Sequence, residues 1–161
     1  MVLGRGKIVE LVKAGLIENF SIECLGGAGY DLRVDKLYSL ESDSYLGVTG
    51  RQTPKVAEIK RDTYTIPANG YVLIETVEKV NMPIDLMARV SNRSTLFRCG
   101  CSLFNAVVDP GYKGTLTFGL KNLSEHEFTL ERRSRIAQIV FEHVEGDTVE
   151  YKGKYQGGKV V

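Results

Sequence analysis

Apolar residues recur at three- and four-residue intervals only near the start of the chain. The residues with this spacing are Ile8, Val9, Leu11, Val12, Leu16 and Ile17. Because one face of an α-helix repeats at this interval, the pattern predicts an amphipathic helix here, and Gly15 lies near its end.

From about Gly29 onward, short runs rich in Val, Ile, Thr, Tyr and Phe lie between Gly, Pro, Asn and Asp residues. The runs are Asp31–Val34, Tyr71–Thr76, Leu86–Val90, Thr115–Lys121 and Ile136–Phe141. This composition predicts strands. Turn signals at residues 67–70, 109–111, 113–114 and 145–147 suit antiparallel hairpins, and no helical pattern separates the strands. The sequence therefore predicts a mainly β fold, a sandwich or barrel with one N-terminal helix.

The length of 161 residues fits a single domain over residues 1–161. With 43% hydrophobic and 25% charged residues, the chain can bury a core, which excludes disorder as its main state. Residues 39–61 are polar and poorly periodic, which predicts a surface excursion between strands. Residues 152–161 contain three glycines and cannot pack a core alone. They predict a flexible tail, either mobile or docked.

The charge balance bears on the partners. Lys and Arg number 21 against 20 Asp and Glu, so a net charge of +1 gives no field that would attract nucleic acid or an anionic membrane. The start of the chain lacks a secretion signal, and no apolar window reaches the roughly 18 residues of a membrane span. Three cysteines suit intracellular thiols better than a disulfide framework. We expect a soluble cytoplasmic protein.

A group of hydrogen-bond donors between residues 93 and 98 is the first candidate site. It consists of Arg93, Ser94, Thr95 and Arg98. Guanidinium groups match phosphate oxygens in pairs, so the group can bind a polyphosphate; the alternative is a solvated turn between strands. Asp109 before Pro-Gly is by itself typical of an ordinary turn.

Other chemistries have less support. A zinc deaminase needs a Cys-x-x-Cys pair, whereas Cys99 and Cys101 are separated by one residue. Alternate residues on a strand share a face, so we expect both cysteines to pack as small apolar groups. His126 and His143 have no Ser or Cys motif partner, and surface positions are expected for both.

Four segments in order carry a family resemblance: Gly27–Leu32, Asn92–Leu96, Val107–Gly114 and Arg135–Ile139. Together they resemble the dUTPase and dCTP deaminase superfamily, and the resemblance extends to residues 13–17 and 153–157 at the two ends. It implies a distorted jelly-roll or β-barrel fold of the dUTPase type, assembled as a homotrimer. It also implies nucleotide sites at the subunit interfaces and Mg²⁺ bound with the triphosphate.

The resemblance also implies roles for individual residues. Asp31 would hold the metal through water, and Asp109 would position and activate the attacking water. The phosphates would contact Arg93, Ser94 and Gln138, with Arg98 as a second arginine at the nucleotide. Tyr112 would pack beneath deoxyribose and exclude a 2′-OH. The residues along the base would be Thr117, Phe118 and Gly119, and those of the nucleotide-covering tail would be Tyr151, Lys154 and Gln156.

The two branches of the superfamily differ in one chemical requirement. Deaminating cytosine needs proton transfer to and from the ring. The deaminase branch, which this chain otherwise resembles, carries a glutamate ten residues after the motif aspartate. Counted from Asp109, that position is Gly119, and the next carboxylate along the chain is Glu125. We therefore expect a dUTP diphosphatase that yields dUMP and pyrophosphate.

Two alternatives remain open: a dCTP deaminase or bifunctional dCTP deaminase/dUTPase, and a non-catalytic nucleotide-binding trimer. Asp109 together with Tyr112 argues against the non-catalytic reading, because phosphate binding needs neither. If the protein is a hydrolase, Asp109 would act mainly by orienting water beside Mg²⁺.

Overall fold

The N-terminal helix ends earlier than its apolar pattern predicts. The computed structural model describes residues 1–161 and places helix α1 at Arg5–Lys13, with Ile8 fully buried. Gly15 adopts a φ of 98°, which a residue with a side chain rarely adopts and which stops the helix. The predicted helix is confirmed, but Leu16 lies beyond it and Ile17 begins strand β1 (Ile17–Glu18). A 3₁₀ turn at Ile22–Cys24 follows.

The main sheet has eight strands and curves into a nearly closed barrel; six of them form its continuous path, and β1 and a short strand pair beside that path. The six strands of the path are β2 (Tyr30–Leu40), β7 (Tyr71–Asn81), β8 (Leu86–Asn92), β9 (Cys101–Phe104), β10 (Lys113–Asn122) and β12 (Arg135–His143). Their order is β8-β12-β2-β7-β10-β9, and every pairing is antiparallel. All five predicted strands are confirmed within longer ones, as is the mainly β class.

Short strands complete the architecture. They are β3 (Tyr45–Leu46), β4 (Arg51–Gln52), β5 (Val56–Glu58), β6 (Thr63–Ile66) and β11 (Phe128–Glu131). β3 pairs with β4, β5 with β2, β6 with β11, and β1 with β7. Residues 39–61 lie mostly at the surface, as predicted, although they include β3, β4 and β5.

The core follows the two-residue alternation of the long strands. On β7, the residues at 72, 74, 76, 78 and 80 are all buried. One of them is Glu78, which is 0% exposed. Its carboxylate accepts hydrogen bonds from Tyr30 Oη at 3.1 Å, from Arg33 N at 2.9 Å and from Arg33 Nε at 2.7 Å. This network ties β2 to β7 and satisfies a charge that would otherwise be costly to bury.

The prediction that Cys99 and Cys101 share one strand face is wrong. A second helix, α2 (Ser94–Arg98), precedes β9, and Cys99 is exposed at its C-terminal end. Gly100 adopts a φ of 75° and turns the chain, so that Cys101 begins β9 and is buried. The helix itself was not predicted, because five residues are too few to show periodicity. His126 and His143 are exposed, as expected.

The C-terminal tail folds back onto the loop that precedes β10. Tyr151 N donates to Pro110 O at 2.8 Å, and Gly157 N donates to Lys113 O at 2.9 Å. The tail is therefore docked in the structure. No α-helix in the protein has both the length and the apolar surface that crossing a bilayer would need.

Candidate active site

Two arginines converge on the carboxylate of Asp31. Arg93 Nε lies 3.0 Å from Asp31 Oδ2, and Arg135 Nη1 lies 3.5 Å from the same oxygen. The Asp31 side chain is only 14% exposed, so the pairs are partly shielded from water. Two guanidinium groups against one carboxylate leave a net positive charge. We call Asp31, Arg93, Arg135 and Gln138 the basic cluster.

Strand pairing brings the fourth member into place. Gln138 on β12 is the register partner of Asp31 on β2 and of Ser91 on β8. Gly29, at the turn before β2, packs closely here, because a Cβ added to it would lie 2.8 Å from Ile139 O and 3.2 Å from Gln138 Cγ. A side chain at residue 29 would therefore disturb the strand that carries Gln138.

Helix α2 presents the other predicted phosphate-binding residues. Leu96 is buried and anchors the helix, which leaves Ser94 and Thr95 exposed beside Arg93. Arg98 is also exposed, but its Nη1 donates to Ser94 O at 3.0 Å. Its guanidinium also lies 4.9 Å from the centre of the Phe97 ring. Arg98 is thus held along its own helix in the free chain.

A recess of about 360 Å³ lies next to the basic cluster. Its lining includes Arg33, Arg133 and Arg135. Arg133 adopts a φ of 68°, an uncommon conformation for a residue with a side chain. Arg135 begins one of the four segments that carry the family resemblance, whereas no motif in the sequence indicated Arg33, which lines this recess from β2.

A larger cleft, of about 520 Å³ and mostly apolar lining, contains a second set of predicted residues. These are Asp109, Tyr112, Thr117, Phe118 and Tyr151. The lining also includes Tyr71, Tyr155 and the last three residues of the chain, none of which was among the predicted site residues. Asp109 is the only acidic side chain in the lining, and it is exposed without a hydrogen-bond or ion-pair partner.

Tyr112 forms a fixed wall of the cleft. Its side chain is 9% exposed, and its hydroxyl donates to Thr115 O. The Tyr151 ring meets it edge-on, with 5.5 Å between ring centres. Burial, reinforced by the neighbouring Tyr151, raises the pKa of Tyr112 to about 12, so this residue stays a neutral aromatic surface at physiological pH.

Position 119 faces the ring of Tyr71. Gly119 on β10 pairs with Leu73 on β7 and with Phe104 on β9. A Cβ added at residue 119 would lie 2.8 Å from Tyr71 Cζ and closer still to Tyr71 Oη. The phenol therefore occupies the space into which a side chain at this position would project.

The tail residues are engaged by the protein itself. The Gln156 side chain accepts a hydrogen bond from Lys113 N at 2.8 Å and donates to Gly111 O at 3.0 Å. Lys154 Nζ donates to Thr53 Oγ1 at 2.9 Å. Of the three predicted tail residues, only Tyr151 lines the cleft, whereas Lys154 and Gln156 fasten the tail in place.

The predicted site residues thus fall into two groups in one chain. The basic cluster and α2 contain Asp31, Arg93, Ser94, Thr95, Arg98 and Gln138, and none of these lines the cleft. The cleft contains the residues expected to meet water, sugar and base, except Gly119, which is buried behind the Tyr71 ring and is not part of the lining. A single chain does not bring the two groups into one pocket.

Comparison with known proteins shows which enzymes have sequences similar to this chain. A family model described as dCTP deaminase-like matches residues 2–144. The dCTP deaminase of Thermococcus kodakarensis is 40% identical over 152 residues, which cover 93% of this chain and 90% of that protein. A probable deoxyuridine 5′-triphosphate nucleotidohydrolase of Methanothermobacter thermautotrophicus is 36% identical over 134 residues, which cover 83% of this chain and 89% of that protein.

Solved structures of both kinds share the fold. A 2′-deoxycytidine 5′-triphosphate deaminase from Agrobacterium tumefaciens aligns with a TM-score of 0.71 at 18% identity, over 87% of this chain and 47% of that one. The dUTPase of EIAV aligns with a TM-score of 0.54 at 17% identity, over 87% of this chain and 92% of that one. The predicted dUTPase-like fold is confirmed.

Proposed function

Because the chain belongs to the dCTP deaminase-like family, we propose that it acts on a pyrimidine deoxynucleoside triphosphate and hydrolyses dUTP to dUMP and pyrophosphate. The cleft would take the nucleoside, and the basic cluster with α2 would take the phosphates. The mostly apolar walls of the cleft suit a base and a sugar, whereas the arginines suit phosphate oxygens.

We favour hydrolysis over deamination because position 119 has no carboxylate. Deamination needs a group that gives and takes a proton at the ring. In this cleft the space at Gly119 is filled by the Tyr71 phenol, whose pKa is raised by burial and which is therefore a poor base at neutral pH. Asp109, the one acidic side chain lining the cleft, is assigned to the attacking water.

Hydrolysis between the α- and β-phosphates uses the groups that are present. Asp109 orients a water molecule through its unpartnered carboxylate, and Arg93 with Ser94 binds the phosphoryl oxygens. The ion pairs of the basic cluster both use Asp31 Oδ2, so Oδ1 is free to accept a hydrogen bond from a metal-bound water. This arrangement fits Mg²⁺, which retains waters and takes most other ligands from substrate phosphates. When bound, Mg²⁺ would neutralise charge on the triphosphate.

The separation of the two groups within one chain supports a shared site. In a closed homotrimer, the cleft of one subunit can face the basic cluster of another, which completes the pocket and excludes water.

Steady pyrophosphate release from dUTP with Mg²⁺ tests the hydrolysis itself and excludes the non-catalytic alternative. A protein that binds dUTP without releasing pyrophosphate would contradict the proposal.

Subunit mixing tests the shared site. Asp109→Asn removes the cleft carboxylate and Arg93→Ala removes a phosphate donor, so each variant alone should be nearly inactive. Unfolding and refolding the two together should produce mixed trimers in which some sites carry neither change, and activity should reappear. Activity that does not rise above that of the separate variants, or a monomer that is fully active at nanomolar concentration, would contradict a site shared between subunits.

A dCTP deaminase is the second candidate function. It is favoured by three relatives at 37–40% identity, each of which is a dCTP deaminase. For this chain to deaminate dCTP, another group would have to supply the proton transfer that Gly119 cannot. Ammonia release from dCTP is the product that would identify this activity.

A further inference from the structure

The Tyr71 hydroxyl has no hydrogen-bond partner within the protein. Tyr71 begins β7, its side chain is 38% exposed, and it lines the 520 Å³ cleft together with Asp109 and Tyr112. Gly119 leaves the space that the phenol enters. A tyrosine hydroxyl inside a mostly apolar cleft normally finds a partner, so an unpaired one is available to a ligand.

A second unpaired hydroxyl lies in the same cleft. Thr117 Oγ1 is buried and makes no hydrogen bond, and Thr117 lines the cleft. Residues two apart on a strand face the same side, so Thr117 and Gly119 present the same side of β10. Tyr71 Oη reaches that side of the strand through the space beside Gly119. Leaving a buried polar atom unpaired is unfavourable, and this independent observation points to a polar ligand group here.

We propose that Tyr71 is a base-contacting residue, whose hydroxyl hydrogen-bonds the polar edge of the pyrimidine, and that Gly119 is required to admit it. The inference rests on the proposed function in one respect, namely that the cleft takes the base of a pyrimidine deoxynucleotide. A phenol hydroxyl both donates and accepts, so it can pair with a ring carbonyl or with an N–H group. The raised pKa of Tyr71 keeps this hydroxyl protonated under assay conditions.

Binding measurements that do not depend on turnover test the contact. The probes are dUpNHpp, a dUTP analogue with an imido link between the α- and β-phosphates, and the abasic 1,2-dideoxyribose 5′-triphosphate, each titrated calorimetrically with Mg²⁺. Tyr71→Phe keeps the ring and removes only the hydroxyl. Tyr64→Phe is the matched control, because Tyr64 is half-buried on β6, its hydroxyl is also unpaired, and it does not line the cleft.

The Tyr71→Phe variant should bind dUpNHpp about threefold to tenfold more weakly than the wild type, because it loses one neutral hydrogen bond. Binding of the abasic probe should be unchanged, and Tyr64→Phe should bind both probes like the wild type. Gly119→Ala should reproduce the loss seen with Tyr71→Phe, because its Cβ displaces the phenol. Combining the two changes should then give little additional loss.

Three results would overturn the inference. They are unchanged dUpNHpp affinity in Tyr71→Phe, an equal loss for the abasic probe, and no binding of dUpNHpp to the wild-type protein. Failure of the proposed hydrolysis gives a different pattern, in which dUTP is not turned over while dUpNHpp still binds and still distinguishes Tyr71→Phe from the wild type.

Discussion

Replacing Asp109 by Asn should stop turnover with almost no effect on folding. The Asp109 carboxylate is exposed and has no partner in the chain, and the backbone carbonyl that accepts from Tyr112 N at 3.2 Å is retained. A surface change of this kind alters the free energy of unfolding by no more than about 0.5 kcal/mol. The amide keeps the shape of the side chain, but it has only one oxygen with which to orient the attacking water and cannot accept its proton.

Loss of positioned acid–base help lowers a rate by roughly 10² to 10⁴, which corresponds to about 3 to 5 kcal/mol in the activation barrier. The affinity for dUTP should stay within about tenfold of wild type, because the carboxylate acts on water and not on the nucleotide. The assay is pyrophosphate release at saturating dUTP and Mg²⁺, together with calorimetric binding of dUTP to the inactive variant.

Asp147→Asn is the matched control. Asp147 is also exposed and unpaired, but it lies outside the cleft, so this variant should turn over dUTP at the wild-type rate. Turnover within tenfold of wild type in Asp109→Asn would remove Asp109 from its assigned role. A large loss of dUTP affinity would instead make Asp109 a substrate-binding residue.

Three further outcomes follow from the structure. Tyr112→Ala should increase hydrolysis of UTP relative to dUTP by about tenfold or more, because it removes the wall against the sugar; an unchanged preference in competition assays would place sugar selection elsewhere. Glu78→Gln should lower the free energy of unfolding in urea by about 3 kcal/mol, because Arg33 is 21% exposed and loses its buried counter-charge, whereas exposed Glu10→Gln should change it by less than about 0.5 kcal/mol. A loss below about 1 kcal/mol for Glu78→Gln would show that this network is not important for stability. The pKa of Tyr112 rises from its ordinary value of 10.0 to about 12 on folding, so its contribution to stability is complete below pH 10 and is lost as the pH rises toward 12. Tyr112→Phe should therefore lose less stability than wild type between pH 9 and pH 11, and equal losses would contradict the assigned shift.

The local features of the fold could be predicted from local sequence. The strands at residues 31–34 and 136–141 show their β-branched composition directly, and both are present in the structure. Gly15 was correctly expected near the end of α1, which ends at Lys13, but Leu16 and Ile17 continue the apolar spacing although they lie beyond the helix. The face of Cys99 was misplaced for a similar reason, since the turn at Gly100 interrupts the alternation.

The arrangement of the candidate site could not be predicted from local sequence. The roles of Arg93, Asp109 and Tyr112 come from the family resemblance and stay predictions. Their grouping depends on strand pairing between distant parts of the chain, which no local pattern contains. The register of β7 against β10 places Tyr71 over Gly119. These two residues are far apart in the sequence, because β8, α2 and β9 lie between β7 and β10. The sequence therefore revealed the missing carboxylate but not the phenol that fills its place.

The central claim is that this chain hydrolyses dUTP and does not deaminate dCTP. The most direct test gives the purified wild-type protein dUTP or dCTP at equal concentration with Mg²⁺, and measures pyrophosphate from the first and ammonia from the second. With Gly119 in place of a proton-transferring carboxylate, pyrophosphate release from dUTP should exceed ammonia release from dCTP by at least about 10². Ammonia release from dCTP at a rate matching dUTP hydrolysis would contradict the account and assign the protein to the bifunctional branch.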